Sequence, residues 1–143
     1  MIVQNLVRGG IEDLDEKVQY WLNTAEEDLA VAKYLLAGAK LLYTGFMCHQ
    51  AVEKALKAVI ARDCADDEIP PKIHDLLKLA VRAKLFDVMS EEQRDFIDGL
   101  NPLNIEARYP EYKAEMTQSL TKEKCQGLVI RTEDLLCWIK AQL

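Results

Sequence analysis

The residues able to do acid–base chemistry near neutral pH are few in this chain, because it holds only two histidines. His49 stands one helical turn before Glu53 in the stretch His49-Gln50-Ala51-Val52-Glu53-Lys54. Drawn at 100° per residue, it falls on the boundary between the apolar and polar sides of its helix. That position suits a general base or ligand contact beside Glu53, and equally a histidine that ties two helices together. His74 follows Pro70-Pro71 at a helix start, where an imidazole makes a local hydrogen bond or meets a ligand. Asp28 lies at the edge of an apolar stripe and requires a partner, which a cation or histidine of the next helix would supply. It reads as an interhelical pair or a catalytic acid. Gln50, Glu53, Lys54 and Lys57 form a polar wedge in which Glu53 and Lys57 are an i,i+4 pair of the favourable orientation. Arg108-Tyr109-Pro110 sets an arginine at a chain break. There its planar fork can hold a phosphate or carboxylate, or close the fold on Asp28 or Glu53.

Several catalytic devices are missing. The chain contains no phosphate-binding glycine loop, no H-E-x-x-H, no G-x-S-x-G and no E-x-x-H pair for a di-iron bundle. Cys48, Cys64, Cys125 and Cys137 are widely spaced with no C-x-x-C, so they read as reduced thiols rather than zinc or redox ligands. No metal and no cofactor is expected.

The elements that position these residues follow from apolar periodicity. Leu14, Val18, Trp21, Leu22, Ala25, Leu29, Ala32 and Leu36 recur at steps of three and four, giving an amphipathic helix of about 24 residues from Asp13. Gly38 and Thr44-Gly45 bracket a connection over 37–44, which makes the first two helices antiparallel. The second helix, Gly45 to Asp63, spreads its apolar residues over roughly half its circumference and must be buried on two sides. An acidic, proline-stopped loop leads to a short helix through Leu76 and Leu85, opened by Asp75 at the positive helix end. Ser90-Glu91-Glu92-Gln93 has capping-box spacing for a helix through Leu100. Pro102 should push Asn101 out of helical geometry and break the chain before Leu103–Arg108, with Pro110 ending the segment. The last helix spans Ser119 to Ala141, with Trp138 about 60° outside its apolar stripe and facing solvent or a partner.

The sum is one all-α domain over 1–143, an up-and-down four-helix bundle with one additional short helix, in which 1–12 read as a flexible extension. With 143 residues, half of them apolar, the chain can bury a core without disulfides or metal. A formal charge of −6 argues against DNA and disfavours RNA as a long polyanion. No signal-like segment or apolar run of membrane length is present, so a cytoplasmic protein without membrane contact is expected.

Four stretches carry a resemblance. Trp21 to Leu29 (WLNTAEEDL), His49 to Ala58 (HQAVEKALKA), His74-Asp75-Leu76, and Ile105 to Pro110 (IEARYP) resemble the signature stretches of the HEPN domain family, in order and spacing. The resemblance implies a helical bundle that dimerises and binds nucleotides, often as the toxin-like partner of a minimal nucleotidyltransferase. Catalytic members of that family are metal-independent ribonucleases with an R-x(4-6)-H motif. Here Arg108 is followed at that spacing by Lys113, Ala114 and Glu115, without a histidine. The expected protein is therefore a non-enzymatic homodimer that binds a nucleotide or a nucleotidyltransferase partner, as half of a two-gene toxin–antitoxin-like pair. Its surface would comprise Asp28, His49, Gln50, Glu53, Lys54, Lys57, His74, Arg108 and Tyr109. The alternatives are a ribonuclease toxin with His49 as base and Arg108 on the phosphate, or a scaffolding bundle.

Overall fold

The computed structural model describes residues 15–65, 67–104 and 110–143. Among these, six α-helices and two 3-10 turns account for the regular structure. Asp15 caps α1 (Glu16–Ala37) through a bond from Lys17 N to its side chain. After a short turn α2 (Leu41–Arg62) begins, about one helical turn earlier than the Thr44-Gly45 pair suggests. Gly45 does not break the helix. It is buried inside α2, where an added Cβ would stand 3.1 Å from Leu103 Cδ1, so its role is close approach.

Helices α3 (Leu76–Arg82) and α4 (Glu91–Leu100) form a short pair, with a 3-10 turn at Phe86–Val88 between them. The capping box read at Ser90 is present in both directions, Gln93 N to Ser90 Oγ and Ser90 N to Gln93 Oε1. Asn101 departs from expectation, since it keeps helical dihedrals (φ −52°, ψ −46°) ahead of Pro102. The reason is local: Pro102 enters the first turn of a 3-10 segment, Asn101–Leu103, where its missing N–H costs nothing. The Asn101 side chain also holds that geometry, accepting from Leu76 N at 2.9 Å and donating to Asp75 Oδ1 at 3.4 Å.

Pro110 likewise opens a helix instead of ending a segment. It is the first residue of α5 (Pro110–Ser119), a proline position pre-set for helical φ. No α5 residue is buried, so no apolar period announced it. The last helix, α6 (Lys122–Ala141), is capped by Thr121 and starts three residues after the expected Ser119.

Helix α2 is the axis of the molecule, packed by α1, α3, α4, α5 and α6. Bonds from Lys17 Nζ to Cys64 O and Ala65 O set the start of α1 beside the end of α2. The pairs Lys33–Glu133 and Lys140–Glu26 run α6 antiparallel to α1, and Arg62 to Gln142 O brings the ends of α2 and α6 together. Both sides of α2 are accordingly buried from Cys48 through Ala61, with Gln50 and Lys54 the exceptions. The broad apolar arc is thus covered within one chain. Core positions read from periodicity, among them Leu22, Leu29, Leu56, Ile97 and Leu136, are buried. Trp138 is half-buried against the core rather than fully solvent-facing. The residues expected to form an N-terminal extension, and Arg108 and Tyr109, lie outside the described residues.

Candidate functional site

The polar wedge of α2 is not a solvated face. Glu53 and Lys57 are both buried, with side-chain exposures of 2% and 7%, and Lys57 Nζ donates to Glu53 Oε2 at 3.1 Å. An ion pair so placed loses hydration on both partners, which makes it a poor device for stability and a good one for orientation. What it orients is His74. That imidazole donates from Nδ1 to Glu53 Oε1 at 3.0 Å, although its own side chain is 61% exposed. One carboxylate therefore joins a buried ammonium to a solvent-exposed imidazole.

His49, one turn before Glu53, is fully buried. Its Nε2 stands 3.1 Å from the carbonyl oxygen of His74, and its Nδ1 3.4 Å from Gln50 Oε1 and 3.9 Å from Glu53 Oε1. Burial is the main force on its titration and pushes the imidazole below its ordinary range, with Glu53 pulling the other way. The neutral ring carries one proton, and a carbonyl can only accept, so Nε2–H points to His74 O. Nδ1 is then an acceptor, satisfied when the Gln50 amide turns its NH2 to the ring.

Residue 74 is consequently held twice from a single turn of α2, by its backbone through His49 and by its side chain through Glu53. Asp75, the next residue, caps α3 by accepting from Lys78 N. Asn101 completes the anchor on Leu76 N. In the neutral state, with Nδ1–H committed to Glu53, the exposed His74 Nε2 carries a lone pair. This is the arrangement of a proton acceptor or of a hydrogen-bond contact to a ligand hydroxyl or base edge.

On the other flank of the wedge, Lys54 Nζ lies 3.6 Å from Asp28 Oδ2, the cation from the second helix that Asp28 required. That distance leaves Oδ2 buried without a hydrogen bond. Burial raises the Asp28 pKa, and Lys54 works against it. Lys57 Nζ sits 5.7 Å from the Trp21 ring centre, so α1 touches the same charge from its aromatic side. The structure thus gathers Asp28, His49, Gln50, Glu53, Lys54, Lys57 and His74 along one side of α2. Among the described residues no cluster of His, Cys, Asp or Glu suits a metal ion.

Comparison with known proteins bears on this arrangement. The family model for the HEPN domain matches residues 18–142. The chain belongs to the HEPN domain family. Every site residue of this HEPN domain lies inside the matched span. The crystal structure of TT1696 from Thermus thermophilus superposes with a TM-score of 0.75 at 21% identity, covering 90% of this chain and 100% of that one. At that identity the likeness establishes the fold. No curated protein matches the sequence.

Two participants in this candidate site escaped the sequence reading. Asn101 read only as a residue disturbed by proline, yet its amide ties α3 to the end of α4. Trp21 read as core, yet it also faces the Lys57 ammonium. Neither contact has a local signal, because each joins residues 25 or more positions apart. His49 read as half-exposed and is enclosed, so the imidazole a solute can reach is His74. No described helix is long and apolar enough to cross a membrane.

Proposed function

We propose that this HEPN domain is a binding module for a nucleotide, acting as a homodimer beside a minimal nucleotidyltransferase in a two-gene toxin–antitoxin-like pair. The observation that carries the proposal is the Lys57–Glu53–His74 chain: a buried ion pair whose product is one exposed, oriented imidazole. A nucleotide supplies the complementary groups, with ribose hydroxyls or a base edge for His74 Nε2 and phosphates for the Lys54 ammonium and the Arg108 guanidinium. The net charge of −6 fits a small ligand better than a long polyanion. Calorimetric titration with ATP and GTP tests this reading. We expect binding by the wild type and a loss of about tenfold or more in His74→Ala and in Arg108→Ala, the size of one charge-assisted contact. Null titrations of the wild type with both nucleotides would overturn the ligand assignment.

The Glu53–His74 pair also favours one form of the rival reading, a metal-independent ribonuclease. With His49 enclosed, the base in that reaction is His74, taking the ribose 2′-OH proton at Nε2. Cleavage leaving 2′,3′-cyclic ends, abolished in His74→Ala and retained in wild type with chelator, would establish it. Intact RNA under those conditions would dismiss it.

A further inference from the structure

Away from the His74 site, α4 and α6 leave between them a groove that the bundle does not fill. Its two adjoining parts measure about 560 and 520 Å³ and share Glu92, Phe96 and Arg131. The floor is apolar: Phe96 and Leu135 are buried beneath it, and half-buried Trp138 closes one end. Val88, which lines the groove from the 3-10 turn, is 62% exposed. An apolar side chain left open beside an apolar floor marks an interaction surface rather than a scattered surface residue.

The charges around that floor are unequal. Glu91, Glu92, Asp95 and Asp134 line it against one cation, Arg131. Arg131, whose guanidinium carbon is stacked 4.4 Å from the Phe96 ring centre, offsets at most one of the four and leaves an acidic excess. Among the described residues none of these four carboxylates, nor Arg131, forms an ion pair within 4 Å. Surplus acidic groups over an unfilled apolar floor call for a partner with the opposite pattern.

We infer that the α4–α6 groove is a docking site for a basic amphipathic helix of a partner protein, seated with its apolar face on Phe96, Leu135 and Trp138 and its lysines or arginines against Glu92, Asp95 and Asp134. α4 has 10 residues, about 15 Å of axis, so the groove accepts about three turns of the incoming helix. A second copy of this chain fits poorly. A two-fold pairing would set each acidic rim against itself.

The test uses the full chain and a synthetic peptide of roughly 14 residues with leucines on one helical face and lysines on the other, alongside its glutamate counterpart. Calorimetry should show binding of the lysine peptide only, and the Trp138 indole N–H resonance should move while that of Trp21 stays. Glu92→Lys combined with Asp134→Lys should weaken binding about tenfold or more. The same charge change placed elsewhere, Glu16→Lys with Glu111→Lys, should weaken it by less than about threefold. Val88→Asn, a neutral change at an exposed position outside any helix cap that removes apolar contact without altering charge, should also weaken it and guards against a folding defect in the double variant. Equal losses in both charge variants, a stationary Trp138 signal, or no binding by wild type would overturn the inference. So would stronger peptide binding in Arg8→Glu, which would give the groove to this chain's own first residues. Self-association abolished by Glu92→Lys with Asp134→Lys would give it to a second copy and would overturn the inference equally.

Discussion

Glu53 is the residue on which the site turns, because it satisfies a buried ammonium and an exposed imidazole at once. Replacing it with leucine strands Lys57 in a buried position with no counter-charge. Breaking a buried pair from one side costs about 3–5 kcal/mol, so Glu53→Leu should show that loss in urea unfolding. Lys57→Met should lose less, because the His74 Nδ1–H stays on the carboxylate. Equal losses would mean that His74 does not support Glu53. His49 gives a second check, through pH. Its pKa in the fold lies below the 6.5 of the free side chain, chiefly from burial. The unfolded chain therefore binds the proton first, and stability falls as pH drops below 6.5 until the folded pKa is reached. Above that range His49 contributes no slope. Between about pH 7.5 and pH 5 the urea midpoint should fall further in wild type than in His49→Gln, and equal slopes would contradict the enclosed imidazole. Asp28 acts oppositely in more acidic solution: its raised pKa makes the fold gain stability as pH falls through that value toward 3.8.

At the scale of elements, the α1–α2 turn carries an untypical residue. Lys40 N bonds to Leu35 O and Ala39 N to Leu36 O, the two bonds of a Schellman ending. The residue in the left-handed region is Ala39, at φ 57°, while its neighbour Gly38 is at φ −87°. Glycine at 39 removes the Cβ conflict but gains freedom in the unfolded chain, so Ala39→Gly should stabilise by about 0.5–1 kcal/mol, read as a higher thermal midpoint. A lower midpoint would show that the unfolded-state gain dominates. The same turn illustrates what the sequence disclosed. Helices with a buried stripe were legible from apolar spacing, and the Ser90 box from two polar residues three apart. The Gly38 signal located the turn, while the start of α2 lies about a turn earlier than Thr44-Gly45 suggests and the left-handed residue is Ala39. α5 left no trace, since a helix with no buried residue has no apolar period. Of the site, the identities of Asp28, Glu53, Lys57 and His74 were readable. The Glu53–Lys57 pair and a next-helix cation for Asp28 also followed from spacing, but the arrival of His74 at Glu53 did not, because the segment between α2 and α3 that carries it back to α2 follows no spacing rule.

At the scale of the whole molecule, a homodimer needs a different face from the one the sequence offers. The apolar arc of α2 suggests a second copy as its cover, whereas α1, α3, α4 and α6 cover it within the chain. Away from the α4–α6 groove, the outer face of α1 is one surface that stays open. Tyr20 and Tyr34, 62% and 81% exposed, lie about 40° apart around that helix at 100° per residue. Large aromatic rings on one exposed helical face supply the anchors that protein interfaces use most. Neither tyrosine lines the acidic groove, so two copies can meet on α1 without opposing their excess carboxylates. Sedimentation equilibrium at micromolar concentration should therefore give about twice 16.3 kDa, and Tyr20→Glu with Tyr34→Glu should return the single-chain mass. A clean 16.3 kDa species in the wild type would remove the dimer, and a dimer untouched by the tyrosine changes would move its interface off α1.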